Sequence, residues 1–330
     1  MSFLFYNPFG STQFDTHTCF LTGADDVKAD DSITVFPDWV LDRFLLRDKK
    51  FTMMDQVTSV MYNDLKLPCT TDVAHAFSKL EYEIQDAFNK GYDAVYSIPS
   101  EKLFLWMGKI VYGILYHDLI LEKARLQKQN KEFRLSPRLK EKFALFHLML
   151  QSLVSPISFK EPTPWSISLV RLKYSKDIFN YRDDPVKLMF SLGMNGFGLI
   201  ACLQDNGLVK QKQNEILGKI DGIVLHPIQF EELCARFFYS NYLLQYKTKY
   251  KIEKCDTGIS IETIPAETDA GKELFGKWDD NMFAQVLAGH WQPWGLTKKD
   301  IITFPNDPVS FLLNDYTHEL IAPDSITLPF

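Results

Sequence analysis

By residue type, His17, Cys19, Cys69 and His75 form a complete donor set for a tetrahedral zinc ion, which takes four Cys, His or carboxylate ligands. His17 lies two residues before Cys19, and Cys69 is followed closely by His75. Each also has a plainer reading. A free Cys is usually a small buried hydrophobe, His17 reads as a surface histidine, and His75 falls on the first turn of a helix. The plainer reading is the expectation, with no metal and no other cofactor.

Two further runs could carry chemistry. His290-Trp291-Gln292-Pro293-Trp294 sets two indoles beside an imidazole, and His290, Trp291 and Trp294 could line a pocket or close a core. From Glu122 to Lys142 there are eight basic residues against three glutamates, a net +5. Lys123, Arg125, Lys128, Lys131 and Arg134 could contact phosphates there, or form a solvated helix end. Only Phe133 interleaves these charges, so no base-stacking platform is indicated.

Other catalytic patterns are missing. No Gly-x-Ser-x-Gly elbow, Walker loop, Gly-x-Gly-x-x-Gly turn or His-Glu-x-x-His helix occurs. The glycines of Gly193-Met-Asn-Gly196-Phe-Gly198 sit between two strands and read as a hairpin. His147 shares a helix with Phe143 and Leu150 and reads as a core histidine, while Asp183-Asp184 and Asp279-Asp280 read as turn or capping residues.

The frame that must position these residues is a globular one. Apolar residues make up 46% and charged residues 24% of 330, which excludes wholesale disorder, and 26 Phe supply a large core. A net charge of −6 disfavours broad attraction to polyanions. Five widely spaced cysteines fit free thiols in a reducing compartment, so the expected location is cytoplasmic. The apolar start is cut by Pro8 and lacks a basic flank, unlike a secretion signal. The run Leu103 to Tyr116 is broken by Lys109 and is too short to span a bilayer, so it reads as a buried helix with no membrane partner.

Pattern places the helices. Pro37 suits the first position of a short one. Asp72 can cap a second, with Phe77, Leu80, Ile84 and Phe88 on one stripe and Gly91 at its end. A third starts near Ser100, and a fourth opens at Ser136-Pro137. Residues 1–70 are otherwise irregular, with a solvated acidic loop from Ala24 to Asp31. The Pro-rich segment 155–164 is extended and divides the chain into 1–155 and 156–330. Beyond it come strands over 165–174, 187–192 and 197–203, the last two around Asn195-Gly196, and a turn at Asp205-Asn206-Gly207. A helix from Pro227 to Tyr246, strands 250–254 and 259–264 around Asp256-Thr257-Gly258, and a helix from Asp280 to His290 complete the half. Helices first and an antiparallel sheet with helices second make an α+β chain.

Several N-terminal pieces together resemble bacterial HNH-endonuclease-like proteins, whose treble-clef zinc module has ordered knuckles and a helix. The pieces are Cys19-Phe-Leu-Thr22-Gly23, Ile33-Thr34-Val35-Phe36-Pro37-Asp38-Trp39, Leu67-Pro68-Cys69-Thr70-Thr71-Asp72-Val73-Ala74 and Ser78-Lys79-Leu80-Glu81. The likeness covers about residues 15–165. The resemblance implies zinc ligands at Cys19, Thr22, Thr70 and Val73, of which only Cys19 can serve well. It implies a general-base histidine where Thr34 stands, and threonine cannot fill that role. The expectation is therefore a degenerate HNH-like scaffold without catalytic residues, which binds a macromolecular partner. The rival is a metal-dependent nuclease or nucleic-acid-binding protein using His17, Cys19, Cys69 and His75, with nucleic-acid binding weak.

Overall fold

The structure, a computed structural model, describes residues 5–11, 14–25, 27–28, 31–255, 258–266, 273–304, 307–314 and 316–328. Asp26, Ala29 and Asp30 of the acidic stretch and Asp256-Thr257 of the expected turn lie outside them. The chain is α+β and folds as two compact units. One comprises Met1–Ala87, Ser97–Lys160 and Ile252–Ile261; the other comprises Phe88–Tyr96, Glu161–Lys251 and Glu262–Phe330.

The first unit opens with a single helical turn, α1 (Pro8–Ser11). Strand β1 (Ser32–Thr34) leads into α2 (Asp38–Arg43), the hairpin β2 (Lys50–Thr52) and β3 (Ser59–Met61), and then β4 (Lys66–Pro68). β4 returns antiparallel to β1, with Ser32 opposite Pro68 and Thr34 opposite Lys66. Residues 1–70 thus hold two small sheets where the sequence read as irregular. Three-residue strands are too short to leave an alternating pattern. Pro37 is the residue before α2 rather than its first member; its φ of −56° and ψ of 143° keep it extended.

Helix α3 (Thr71–Lys90) follows β4 after two residues. Its amphipathic stripe buries Val73, Phe77, Leu80, Ile84 and Phe88. Asp72 lies in its first turn and is not the cap, because Ala74 N–H already bonds to Thr70 O at 3.0 Å. Helix α5 (Ser100–Lys128) is buried on nearly every side from Leu103 to Tyr116. It is long and apolar enough to cross a membrane, and 89% of that window is buried inside the protein. Helix α6 (Pro137–Leu150) begins as the sequence predicts, with Ser136 Oγ accepting Leu139 N–H at 3.3 Å and Pro137 in the first turn. Strand β5 (Ile157–Phe159) pairs parallel to Ile259–Ile261 of β12 (Gly258–Ile264), which lies between β5 and β11 (Lys249–Cys255) in a three-stranded sheet.

In the second unit, α3 ends ahead of Gly91, whose φ of +87° reverses the chain into α4 (Tyr92–Tyr96). The main sheet is built from β6 (Ser166–Leu172), β7 (Asn180–Asp184), β8 (Met189–Met194), β9 (Phe197–Cys202) and β10 (Val224–Leu225), in the order β10-β6-β9-β8-β7. Only the β10–β6 pairing is parallel. The β8–β9 turn is Asn195-Gly196, at φ +44° and +81°, as a two-residue hairpin requires. Short helices α7 (Leu208–Lys212) and α8 (Asn214–Lys219) precede α9 (Pro227–Leu243), which packs on the sheet and against α10 (Asp280–Trp291). Asp279 caps α10 by accepting Met282 N–H at 3.0 Å. α9 carries two consecutive buried glutamates, and each ties down another segment. Glu232 accepts Phe311 N–H at 2.8 Å, Leu312 N–H at 3.0 Å and Ser310 Oγ–H at 2.7 Å.

Candidate functional site

The N-terminal candidates gather around one turn. Gly23 N–H donates to Cys19 O at 2.9 Å, and Cys19 N–H donates to Ala24 O at 2.8 Å. Gly23 sits at φ +74°, and a Cβ there would lie 2.4 Å from the Tyr6 ring, so the turn demands glycine on two counts. Phe20 N–H donates to Pro68 O at 2.8 Å, which fastens this turn to the end of β4. A turn, an antiparallel β1–β4 pair and a following helix are thereby joined.

Cys19 and Cys69 are both buried, whereas His17 and His75 are exposed. His17 uses its backbone N–H in a turn on Asp15, at 2.9 Å. Among the described residues, no three His, Cys, Asp or Glu side chains come together as metal ligands. Of the other positions the resemblance assigns to zinc, Val73 is buried, Thr22 is exposed and Thr70 is half-buried. Burial, with Cys19 adding to it, pushes the Cys69 thiol up to about 12, so it is neutral near pH 7 and packs as an apolar group.

The charged residue at this locus is one that pattern reading took for a mere interruption. Lys109, in the middle of α5, is 1% exposed. Its ammonium donates to the Thr34 carbonyl at 2.8 Å, forms an ion pair with the Glu81 carboxylate, and lies 5.6 Å from the centre of the Phe77 ring. A buried ammonium persists only when paired and hydrogen-bonded, and here α3 and β1 supply both partners. A lone Lys inside an otherwise apolar run is the sequence signal that would have found it.

The basic stretch occupies the end of α5 and the connection to α6. Arg125 grips Glu122 through two bonds of 2.8 Å, and Arg134 meets Glu132 at 2.6 Å. Those bonds hold both glutamate carboxyls below their usual range. Lys128 and Lys131 are exposed and meet no carboxylate among the described residues; Lys123 is half-buried. Arg125 and Arg134 are therefore neutralised locally.

In the second unit, His290 lies in the last turn of α10 and is buried. Its Nδ1 and the Glu231 Oε2 are 2.9 Å apart, and Arg182 Nε donates to the same oxygen at 2.9 Å. Asn180 donates to the other oxygen, and Arg182 Nη2 donates to His290 O at 3.2 Å. Burial alone would push the Glu231 carboxyl up; its bonds to His290, Arg182 and Asn180 outweigh that and hold it low. Trp291 is a core residue, with Nε1 donating to Ile228 O at 3.1 Å and its ring 5.1 Å from Phe311. Trp294 is half-buried against the same cluster. The arrangement cross-links β7, α9 and α10.

Compared with family models, curated proteins and solved structures, the chain matches none.

Proposed function

We propose that the protein is a non-catalytic binding protein whose N-terminal unit is a degenerate HNH-like scaffold. The observation that carries this reading is the Lys109 ammonium on Thr34. Thr34 stands where the resemblance implies the general base, and its carbonyl is held by a buried cation already neutralised by Glu81. A filled, desolvated ion pair at that position offers neither an activated water nor an open metal coordination site, both of which phosphodiester cleavage requires. The residues present also do not fit zinc. A buried valine and an exposed threonine take the places of two ligands, and the fold joins the turn, β1–β4 and α3 by hydrogen bonds and apolar packing instead.

The partner we assign is a polyanionic macromolecule, bound weakly at the α5–α6 connection through Lys128 and Lys131. With so few phosphate contacts the association is weak and confined to low ionic strength, and the whole-chain charge of −6 weakens it further. Free, buried Cys19, Cys69, Cys202 and Cys234 support a reducing, cytoplasmic location. The deciding experiment incubates plasmid DNA with the protein and magnesium or manganese. The expected result is no cleavage. Cleavage that disappears in His17→Ala or His75→Ala would establish the nuclease reading in its place.

A further inference from the structure

In the second unit, the turn that joins β9 to α7 holds a buried carboxylate on neutral donors alone. Asp205 is 1% exposed. Its Oδ2 accepts the Ser166 hydroxyl at 2.5 Å and Val209 N–H at 2.8 Å, and its Oδ1 accepts Gly207 N–H at 3.3 Å. These bonds fasten the turn to the first residue of β6 and to the start of α7. Among the described residues no cation pairs with the carboxylate. Hydrogen bonds from uncharged groups offset only part of what a carboxylate loses on leaving water.

The residues on either side deepen that deficit. Gln204 is buried, and neither polar atom of its amide has a hydrogen-bond partner. The same holds for both amide atoms of Asn206. All four atoms are too enclosed for water to reach, so the folded turn leaves them unsatisfied, whereas nearly every buried polar group in a protein finds a partner. Opening the turn would hydrate the carboxylate and both amides together. Segments held on such terms open locally before the strands around them do.

We propose that the turn from Gln204 to Gly207 is a pH-operated latch, closed on Ser166 while Asp205 is protonated and opening to water far more often once Asp205 is ionised. The groups that face Asp205 stay fixed over the same range. From β6 it meets the Ser166 hydroxyl, and from the turn and α7 it meets backbone N–H groups. The Lys210 ammonium of α7 is exposed and reaches Ile167 O at 3.1 Å instead. From β11 comes Tyr250, whose phenol is pushed up by burial, away from neutrality. Burial raises the Asp205 carboxyl to about 6, whereas a hydrated aspartate titrates near about 3.9. The closed turn therefore binds the proton better than the open one. Its stability is complete below about pH 4, is lost as pH rises to about 6, and is constant above that, where both forms are ionised. A difference of about two pH units makes opening about 100-fold more frequent at pH 7 than at pH 4.

The test is residue-resolved amide hydrogen exchange on the full chain from about pH 4 to about pH 7, each rate corrected for the intrinsic exchange chemistry at that pH. Protection of the Gly207 and Val209 amides, both bonded to Asp205, is expected to fall about 100-fold by about pH 6 and then to level off. Amides of the β8–β9 ladder report on the sheet as a whole and are expected to change far less. Asp205→Asn keeps an acceptor but cannot ionise, and is expected to hold the low-pH protection at every pH. Ser166→Ala removes a donor to the carboxylate and is expected to move the midpoint to higher pH. The proposal is overturned if protection of Gly207 and Val209 is flat across this range, or if it falls in step with the β8–β9 ladder. It is equally overturned if Asp205→Asn titrates as the parent does. Where Asp205→Asn does not fold, Ser166→Ala decides, and an unmoved midpoint overturns the latch.

Discussion

The ammonium nitrogen of Lys109 lies 2.8 Å from the carbonyl oxygen of Thr34, so a charge from the middle of α5 is anchored on the last residue of β1. With Glu81 as its counter-ion, this one side chain ties α5 to both β1 and α3.

Replacing Lys109 by Met keeps the length and apolar stem but leaves Glu81 and the Thr34 carbonyl without their donor. Removing one partner of a buried pair is expected to cost about 3 kcal/mol or more. The double variant Lys109→Met/Glu81→Gln should recover part of that loss, because no uncompensated charge remains. Urea unfolding of the two variants decides it, and a single variant as stable as the parent would show that the pair is not anchoring the unit.

Purified protein should carry no stoichiometric zinc, and a chelator should leave its melting temperature unchanged. The reason is the donor set: buried Val73 and exposed Thr22 cannot close a tetrahedron with Cys19. Elemental analysis after dialysis checks this, and about one zinc per chain would restore the set His17, Cys19, Cys69 and His75 to consideration.

Binding of duplex DNA should be detectable only at low salt and should weaken steeply as salt rises. Lys128→Ala/Lys131→Ala is expected to lower the salt slope by about 2, one for each phosphate that the variant no longer neutralises. Arg134→Ala should change it less, since Arg134 is already bound to Glu132. Fluorescence anisotropy across a salt series measures both. Submicromolar affinity at physiological salt would contradict the proposed weak binding.

His147 is buried, its Nε2 2.7 Å from Phe20 O and its Nδ1 3.2 Å from Gln151 Nε2, and burial lowers its pKa to about 4. The unfolded chain, with an ordinary histidine near 6.5, then binds the proton better. This contribution to stability is complete above pH 6.5 and is lost as pH falls toward 4, by about 3 kcal/mol in all. Asp118 and Asp205 run the other way, because burial raises each to about 6, and their stabilisation is lost as pH climbs from 4 to 6. In the parent the opposing contributions cancel only in part, with two aspartates set against one histidine. His147→Gln should unmask the aspartates and become more stable at pH 5 than at pH 7.5 by chemical denaturation.

Gly196 and Gly198 are two residues apart and should fail for different reasons. Gly196→Ala meets no atom within 4 Å and carries only the strain of its φ of +81°, about 1 kcal/mol. Gly198→Ala would place a Cβ 2.3 Å from the Phe230 ring inside the core and should cost about 2 to 3 kcal/mol. Thermal melts of the pair would show equal shifts only if Phe230 yields without loss.

Much of the frame was legible in the sequence where a local signal sets it. Ser136-Pro137 starts α6, Asn195-Gly196 turns β8 into β9, and the stripe from Phe77 to Phe88 is the buried face of α3. Signals that depend on distant partners were not legible. β1 and β4 are three residues each and are defined by one another across the α2–β3 insertion. Pro37 and Asp72 each suit the role assigned from sequence, yet tertiary packing moved the helix boundary by one residue or two. The site residues divide the same way. His290 and Trp291 stood out by type and Lys109 by the apolar run around it, while Glu231, the partner of His290, looks like an ordinary surface charge until its burial is known.

The parallel pairing of β5 with β12 joins Ile157–Phe159 to Ile259–Ile261. During synthesis the ribosome must add about 100 more residues after β5 before its partner strand emerges, which at about 5–20 residues per second is on the order of 5–20 s. Through that interval the first unit stands with a nascent strand edge open, while most of the sheet of the second unit, β6 to β10, has already been made. The first unit is thus completed, at Ile261, only after the main sheet of the second has been made. A chaperone that shields unpaired strands would find its natural substrate in that window.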